Sequence, residues 1–261
     1  MSELKNAALE RLRGGGLCLA LGLRTARTVD VSLVLATTGY DAAFIDMEHN
    51  AMSVDTANQI AVACQAAGVA PIVRVPGYEH HLATRVLDGG AMGIVFPHVD
   101  SADHARRLVS QCKYPPLGHR SVGSPFPQLG YRAVPVGEAT AQINAATLIV
   151  AMLESPEAVA QADAIAAVEG VDVVLIGTND LCFEMGIPGQ FGHERVEAAY
   201  AQVIAACKKH GKFPGVAGVR DEALVRKYIA MGARFCLAAN DLGLLMGAAA
   251  AKAQSLRAID L

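Results

Sequence analysis

A chain of 261 residues with 52% hydrophobic and 18% charged content carries enough apolar side chain for a large buried core, which excludes disorder. Its 22 basic and 25 acidic residues give a net charge of −3, and no run of Lys or Arg exceeds a pair, so no nucleic-acid or membrane partner is expected. The mixed-charge start MSELKNAALERLRGGG has no apolar signal core and no membrane-length apolar stretch follows, which predicts an unexported, cytoplasmic protein. Six cysteines (Cys18, Cys64, Cys112, Cys182, Cys207 and Cys236) are spread singly without a C-x-x-C pair. They read as small core residues in a reducing compartment.

In chain order, short runs rich in Val, Ile and Leu recur, each followed by a longer Ala-rich stretch with helical spacing of its apolar positions. The predicted strands are 17–21, 43–46, 71–75, 93–96, 149–153, 173–176, 213–217 and 235–238. Helices are predicted over 54–67, 157–168, 193–210 and 221–231, and the last three run into Gly170, Gly211 and Gly232, good helix stops. Runs such as VDVVLIG and GIVF lack polar alternation, as a parallel strand covered on both faces does. Eight such units fit a (β/α)8 TIM barrel, a single α/β domain over 1–261, better than an open doubly wound sheet. No Gly-x-Gly-x-x-Gly follows the first strand, so the dinucleotide fingerprint fails.

Two segments depart from this rhythm. Residues 97–147 hold a helix-like piece at 102–112 and then YPPLGHRSVGSPFPQLGYRAVP, whose Pro and Gly density predicts a long loop at the barrel mouth. Residues 242–258 read as an Ala-rich apolar helix that either closes the barrel or lies on a neighbouring subunit.

In such a barrel the chemistry collects where strands end. Asp46 ends the second strand and His49 follows it. A charge buried at a strand tip must be paired or used, although Asp46 as a turn cap with His49 on the surface fits as well. Arg74 ends the adjacent third strand, where a guanidinium suits either Asp46 or an anionic substrate oxygen. Glu154 and Asp180, after the fifth and sixth strands, offer two hard carboxylates, the usual protein share of a Mg²⁺ or Mn²⁺ site; a carboxylate–arginine network without metal is the alternative. Gly177, Thr178 and Asn179 lead into Asp180 at a helix start whose N–H groups suit a carboxylate or phosphate. Asp88 reads as a helix-terminal acid, and His80, His81 and His98 as loop residues. No Lys stands at a strand end, which argues against a Schiff base.

D-x-E-H at 46–49, V-R-V-P at 73–76, Leu87 to Ala91, G-I-x-x-P at 93–97, Y-P-P-x-G-x-R-S-x-G at 114–123, L-E-S at 153–155, V-E-G-V-D-x-V-x-I-G-x-x-D-L at 168–181 and G-K-x-P-G at 211–215 appear in one order. Over roughly residues 15–245 the chain thereby resembles the HpcH/HpaI aldolase/citrate lyase family, the metal-dependent class II pyruvate aldolases. The resemblance implies a barrel of the phosphoenolpyruvate/pyruvate-binding type. Glu154 and Asp180 would hold Mg²⁺, Mn²⁺ or Co²⁺, chelated by the carboxylate and keto oxygens of pyruvate. It implies Arg74 on the enolate oxygen, a His49–Asp88 pair as base, and Asp46 orienting the arginine and the reacting hydroxyl. Main-chain N–H groups around Gly177, Thr178 and Asn179 would meet the pyruvate carboxylate. The implied activity is reversible cleavage of a 4-hydroxy-2-oxo acid to pyruvate and an aldehyde, by a homo-oligomer, trimer or hexamer. An acyl-CoA ester lyase and a catalytically silent keto-acid-binding barrel are the alternatives. Met152 stands where some relatives have Gln, and Thr178-Asn179 where many have Pro and a small residue.

Overall fold

The computed structural model describes residues 4–77, 80–123 and 125–259. Within them β1 (Cys18–Leu23), β2 (Ala42–Asp46), β3 (Ala70–Arg74), β4 (Gly93–Phe96), β5 (Leu148–Leu153), β6 (Val173–Gly177), β7 (Phe213–Ala217) and β8 (Phe235–Asn240) pair in parallel, each with its neighbour, and β8 returns to β1 to close a barrel. The described helices are α1 (Ala7–Arg13), α2 (Val31–Thr38), α3 (Val54–Ala66), α4 (His80–Asp88), α5 (Ala102–Cys112), α6 (Val136–Ala146), α7 (Pro156–Ala160), α8 (Ala162–Ala166), α9 (Thr178–Glu184), α10 (Glu194–His210), α11 (Glu222–Met231) and α12 (Asp241–Arg257).

Alternation along the strands separates two apolar layers. Ala42 and Phe44, Ala70 and Ile72, Val150 and Met152, and Val173 and Leu175 share the inner cluster. Ala43, Ile45, Val73, Ala151 and Ile176 belong instead to the layer beneath the helices, with Ile60, Leu108 and Val203. Counting on by two along the inner set reaches Asp46, Arg74, Glu154 and Gly177 at the carboxyl ends of their strands, so parity alone aims these residues at one space. The opposite end is closed by α1, which turns Leu9 and Leu12 into the inner cluster, each worth about 1.5–3 kcal/mol of burial. Asn6 caps that helix through Oδ1 while its Nδ2 donates to the carbonyls of Met92 at 2.9 Å and Ala146 at 2.7 Å. All six cysteines are buried and unpaired, and burial pushes the Cys64, Cys112 and Cys207 thiols up to about 12.

Most predicted elements stand within two residues of their expected ends, with three differences. The helix expected over 157–168 is broken at Gln161, because the Val159 carbonyl takes a 2.9 Å bond from Gln202 of α10. His80 and His81 open α4 rather than lying in a loop. The segment after Cys112 is not at the barrel mouth. Since α5 is the return crossover from β4, the chain has already reached the amino-terminal end when the Pro- and Gly-rich stretch begins. There Tyr114, Phe126 and Leu129 pack on Ala139 and Ile143 of α6, and Gln128 Nε2 donates to the carbonyls of Leu87 and Ala91 just before β4.

Candidate active site

Asp46 and Arg74 are register partners on β2 and β3, 3% and 8% exposed. Arg74 Nε donates to Asp46 Oδ1 at 3.0 Å and Nη2 to Oδ2 at 2.7 Å, a bidentate pair. The guanidinium lies 5.5 Å from the Phe44 ring centroid. Asp46 Oδ1 also accepts the N–H groups of Glu48 at 3.1 Å and His49 at 3.3 Å. Burial pushes the Asp46 carboxyl up, but Arg74 and these N–H groups outweigh it and hold the group below the usual carboxylate range. Asp46 is therefore both the turn cap and the arginine's anchor.

Glu154, the residue after β5, is 3% exposed. Its Oε2 accepts the main-chain N–H of His98 at 2.8 Å and lies 3.3 Å from the ring Nδ1 of the same residue. Burial is the main reason its carboxyl is pushed up to about 8; the His98 N–H and Arg74 oppose the shift, and the negative charges of Asp180 and Glu48 add to it. A Cβ on Gly177 would stand 2.5 Å from Glu154 Oε1, so only glycine at the end of β6 leaves room for this carboxylate. Three residues on, Asp180 stands in the first turn of α9. Two carboxylates placed after adjacent strands, Glu154 and Asp180, are the hard oxygen donors that suit a divalent cation. Among the described residues no group of three or more His, Cys, Asp or Glu forms an all-protein metal cage.

Beside these groups lies a cup of about 290 Å³, lined by Asp46, His49, Arg74, Gly177, Thr178, Asn179 and Asp180 of the expected set, with Met152, Arg24, Arg220 and Asn240 besides; Glu154 is not in the lining but is buried against Gly177. Thr178 turns its hydroxyl away from the cup, 2.7 Å from Tyr200 Oη and 2.7 Å from the Ala217 carbonyl, which locks the β6–α9 corner and leaves the main chain to face a ligand. Among the described residues no lysine lines the cup. Lys113 instead donates to the carbonyls of Asn144 and Thr147 at the other end of the barrel.

Within this one chain Asp88 stands apart from His49. It is the last residue of α4, on the amino-terminal side, and pairs with buried Arg120. The carboxylate beside His49 in this chain is Glu48, with Oε2 3.6 Å from His49 Nε2 and 3.0 Å from Arg74 Nη1, an ion-pair distance without hydrogen-bond alignment. Glu48 and His98 are the residues that reading strand ends missed. Glu48 stands two positions beyond Asp46, a face relation that could have flagged it. His98 could not be found this way: its backbone is left-handed, φ 51°, and it is this turn that brings both its N–H and its ring to Glu154.

The HpcH/HpaI aldolase/citrate lyase family model matches residues 26–248. A 4-hydroxy-4-methyl-2-oxoglutarate aldolase of Hapsidospora irregularis is 42% identical over 94% of this chain and 92% of its own, and one of Chaetomium globosum is 40% identical over 98% and 96%. The crystal structure of an HpcH/HpaI aldolase from Desulfitobacterium hafniense superposes with a TM-score of 0.92 at 30% identity, covering 97% of both chains. With this barrel, this strand-end constellation and matches spanning nearly its whole length, the chain belongs to the HpcH/HpaI aldolase/citrate lyase family.

Proposed function

We propose that the cup cleaves a 4-hydroxy-2-oxo acid reversibly to pyruvate and an aldehyde or ketone, the work of a class II aldolase, a carbon–carbon lyase. The observation that carries this reading is the buried carboxyl of Glu154, packed against Gly177 and pushed up to about 8 by burial and by the charges of Asp180 and Glu48, next to a cup lined by Asp180 and by an arginine clamped by Asp46. A divalent cation held by Glu154 and Asp180, Mg²⁺ or Mn²⁺ with Co²⁺ as a third, would supply positive charge to the carboxylate and keto oxygens of the 2-oxo acid.

The chain's own residues do the rest. Arg74, fixed through Nε and Nη2, holds a cationic edge toward the oxygen that turns negative as the C3–C4 bond breaks, and a preorganised donor of this kind is worth about 10²–10³ in rate. His49, half exposed at the rim, takes the proton of the 4-hydroxyl, and Glu48 beside it orients the ring. The N–H groups opening α9 face the substrate carboxylate, on a corner that Thr178 anchors.

Six buried thiols suit a reducing cytoplasm. The described helices include none long and apolar enough to cross a membrane. In α12 no residue is buried, and Leu244, Leu245 and Met246 are 50%, 64% and 63% exposed, which favours a homo-oligomer, trimer or hexamer, covering this helix. Sedimentation of the whole chain would give a monomer if that is wrong.

The fungal relatives make 4-hydroxy-4-methyl-2-oxoglutarate the first substrate to assay. Incubation with that compound, and separately with pyruvate, glycolaldehyde and Mn²⁺, should give cleavage and adduct that a chelator abolishes. Neither reaction across a wide panel of carbonyl partners would refute the reading.

A further inference from the structure

Part of the cup wall is left over once the pyruvate half of the substrate is placed. Asp46 and Arg74 end β2 and β3, and Glu154 and Asp180 follow β5 and β6, with β4 between the two pairs; the arc on the other side is β7, β8 and β1, adjacent in the closed order. Along that arc the lining is apolar and small at Leu237, Ala238 and Ala239 of β8, with Arg220 beyond β7 on one flank and Arg24 beyond β1 on the other. Among the described residues no Asp or Glu from this arc lines the cup.

The two arginines differ in how they are held. The loop carrying Arg24 hangs on one carboxylate: Asp241 Oδ1 accepts the N–H of Arg24 at 2.9 Å, and Oδ2 accepts those of Thr25 at 2.9 Å and Ala26 at 2.7 Å. The Arg24 side chain is 34% exposed, and its Nε stops 3.6 Å from Asp46 Oδ2, an oxygen already bonded by Arg74 at 2.7 Å. Arg74 holds the close bonds to Asp46, so Arg24 is only loosely paired there and its part-exposed guanidinium lines the cup within reach of a ligand anion. Arg220 is exposed at the rim, and no hydrogen bond or ion pair within the described residues engages it.

Two guanidiniums flanking a small apolar strip, on the arc away from the metal-side carboxylates, form a receptor for a planar anion next to a short carbon chain. The compound named for the fungal relatives carries a second carboxylate on C4; we infer that in this chain Arg24 and Arg220 are the residues that recognise such a group and set the preference for it over an uncharged tail. This rests on the aldolase reading. In such a cleavage the 4-hydroxyl loses its proton, the C3–C4 electron pair passes to the pyruvate enolate, and C3 gains one proton. 4-Hydroxy-2-oxoglutarate then yields pyruvate and glyoxylate, whereas uncharged-tail 4-hydroxy-2-oxopentanoate yields pyruvate and acetaldehyde.

The test compares kcat/KM for those two compounds in the wild-type protein with Mn²⁺, Arg24→Gln, Arg220→Gln and Arg220→Lys. The ratio favouring 4-hydroxy-2-oxoglutarate should drop roughly tenfold with each Gln substitution, the size of a lost charge-assisted hydrogen bond, and less in Arg220→Lys. Calorimetry supplies a second readout: affinity for 2-oxoglutarate, a five-carbon dianion, should fall in both Gln variants while affinity for pyruvate changes much less. Exchange of the pyruvate methyl protons for deuterium reports the aldolase half-reaction separately. Intact exchange with an unchanged selectivity ratio and unchanged 2-oxoglutarate affinity overturns the anion receptor alone. Loss of exchange already in the wild-type protein overturns the aldolase reading and the receptor with it.

Discussion

At the amino-terminal end of the barrel Lys113, 4% exposed, gives its ammonium protons to two carbonyls, and Asn6, 3% exposed, gives its amide to two more; at the carboxyl end Glu154, 3% exposed, takes one main-chain N–H beside a histidine ring. Burial is equal for these three, and what sets Glu154 apart is the like charge of Asp180 and Glu48 beside it. The amino end has unmet atoms of its own, Arg120 Nε and Nη1, Tyr114 Oη and Gln128 Oε1, but there Arg120 pairs with Asp88 and lies 4.6 Å from the Tyr114 ring centroid. A buried polar group met by protein partners stabilises the fold, while a buried carboxylate crowded by like charges costs stability until something from solution joins it. One end of this barrel is built to hold itself together and the other to hold a ligand.

The contrast is broken most severely by substitution at the carboxyl end. Glu154→Ala should lower metal-dependent cleavage by at least about 10³-fold without lowering the melting temperature of the metal-free protein, since it removes a carboxyl whose ionised form burial and the charges of Asp180 and Glu48 disfavour. A melting temperature that falls along with activity would make Glu154 a structural group. His49→Ala should slow cleavage by about 10²–10⁴, and by clearly more than pyruvate proton exchange; equal losses would reduce His49 to positioning.

At the amino end the signs reverse. Asn6→Ala leaves the Met92 and Ala146 carbonyls short of a partner and should cost about 2–4 kcal/mol in denaturant unfolding, with kcat unchanged. A variant as stable as wild type would contradict the division of labour between the ends.

The smallest effect falls where the fold and the cup meet. Burial pushes Asp241 up, but the N–H groups of Ala26, Arg24, Thr25 and Leu242 outweigh it and hold the carboxyl below its usual range. With a lowered folded value, the unfolded chain takes up the proton first, so this stabilisation is complete above about pH 4 and fades as acid carries the pH through the folded value. Asp241→Asn should therefore cost about 1–2 kcal/mol at pH 7, the group being partly screened by solvent, and the gap to wild type should close in acid. A gap that stays constant from pH 7 to pH 3 would assign the loss to something other than the charge.

The barrel was legible because eight apolar runs without polar alternation carry their own period, and the strand-end rule then pointed at Asp46, Arg74, Glu154 and Asp180. Position along one strand does not reveal a neighbour across the cup, so Glu48 and His98 went unread, and a left-handed residue such as His98 has no signature in composition. The Pro- and Gly-rich segment was recognised as a loop but set at the wrong end, since its place depends on which crossover α5 completes. Asp88 shows the same limit: a helix-end acid is visible in sequence, and the face of the barrel it lands on is not.

Titration of the metal-stripped protein with Mn²⁺, followed by calorimetry or by the electron paramagnetic resonance of the free ion, tests the central claim most directly. One tight site per chain in the wild-type protein, lost in both Glu154→Ala and Asp180→Ala, is the result expected. Equal Mn²⁺ affinity in all three proteins would contradict it.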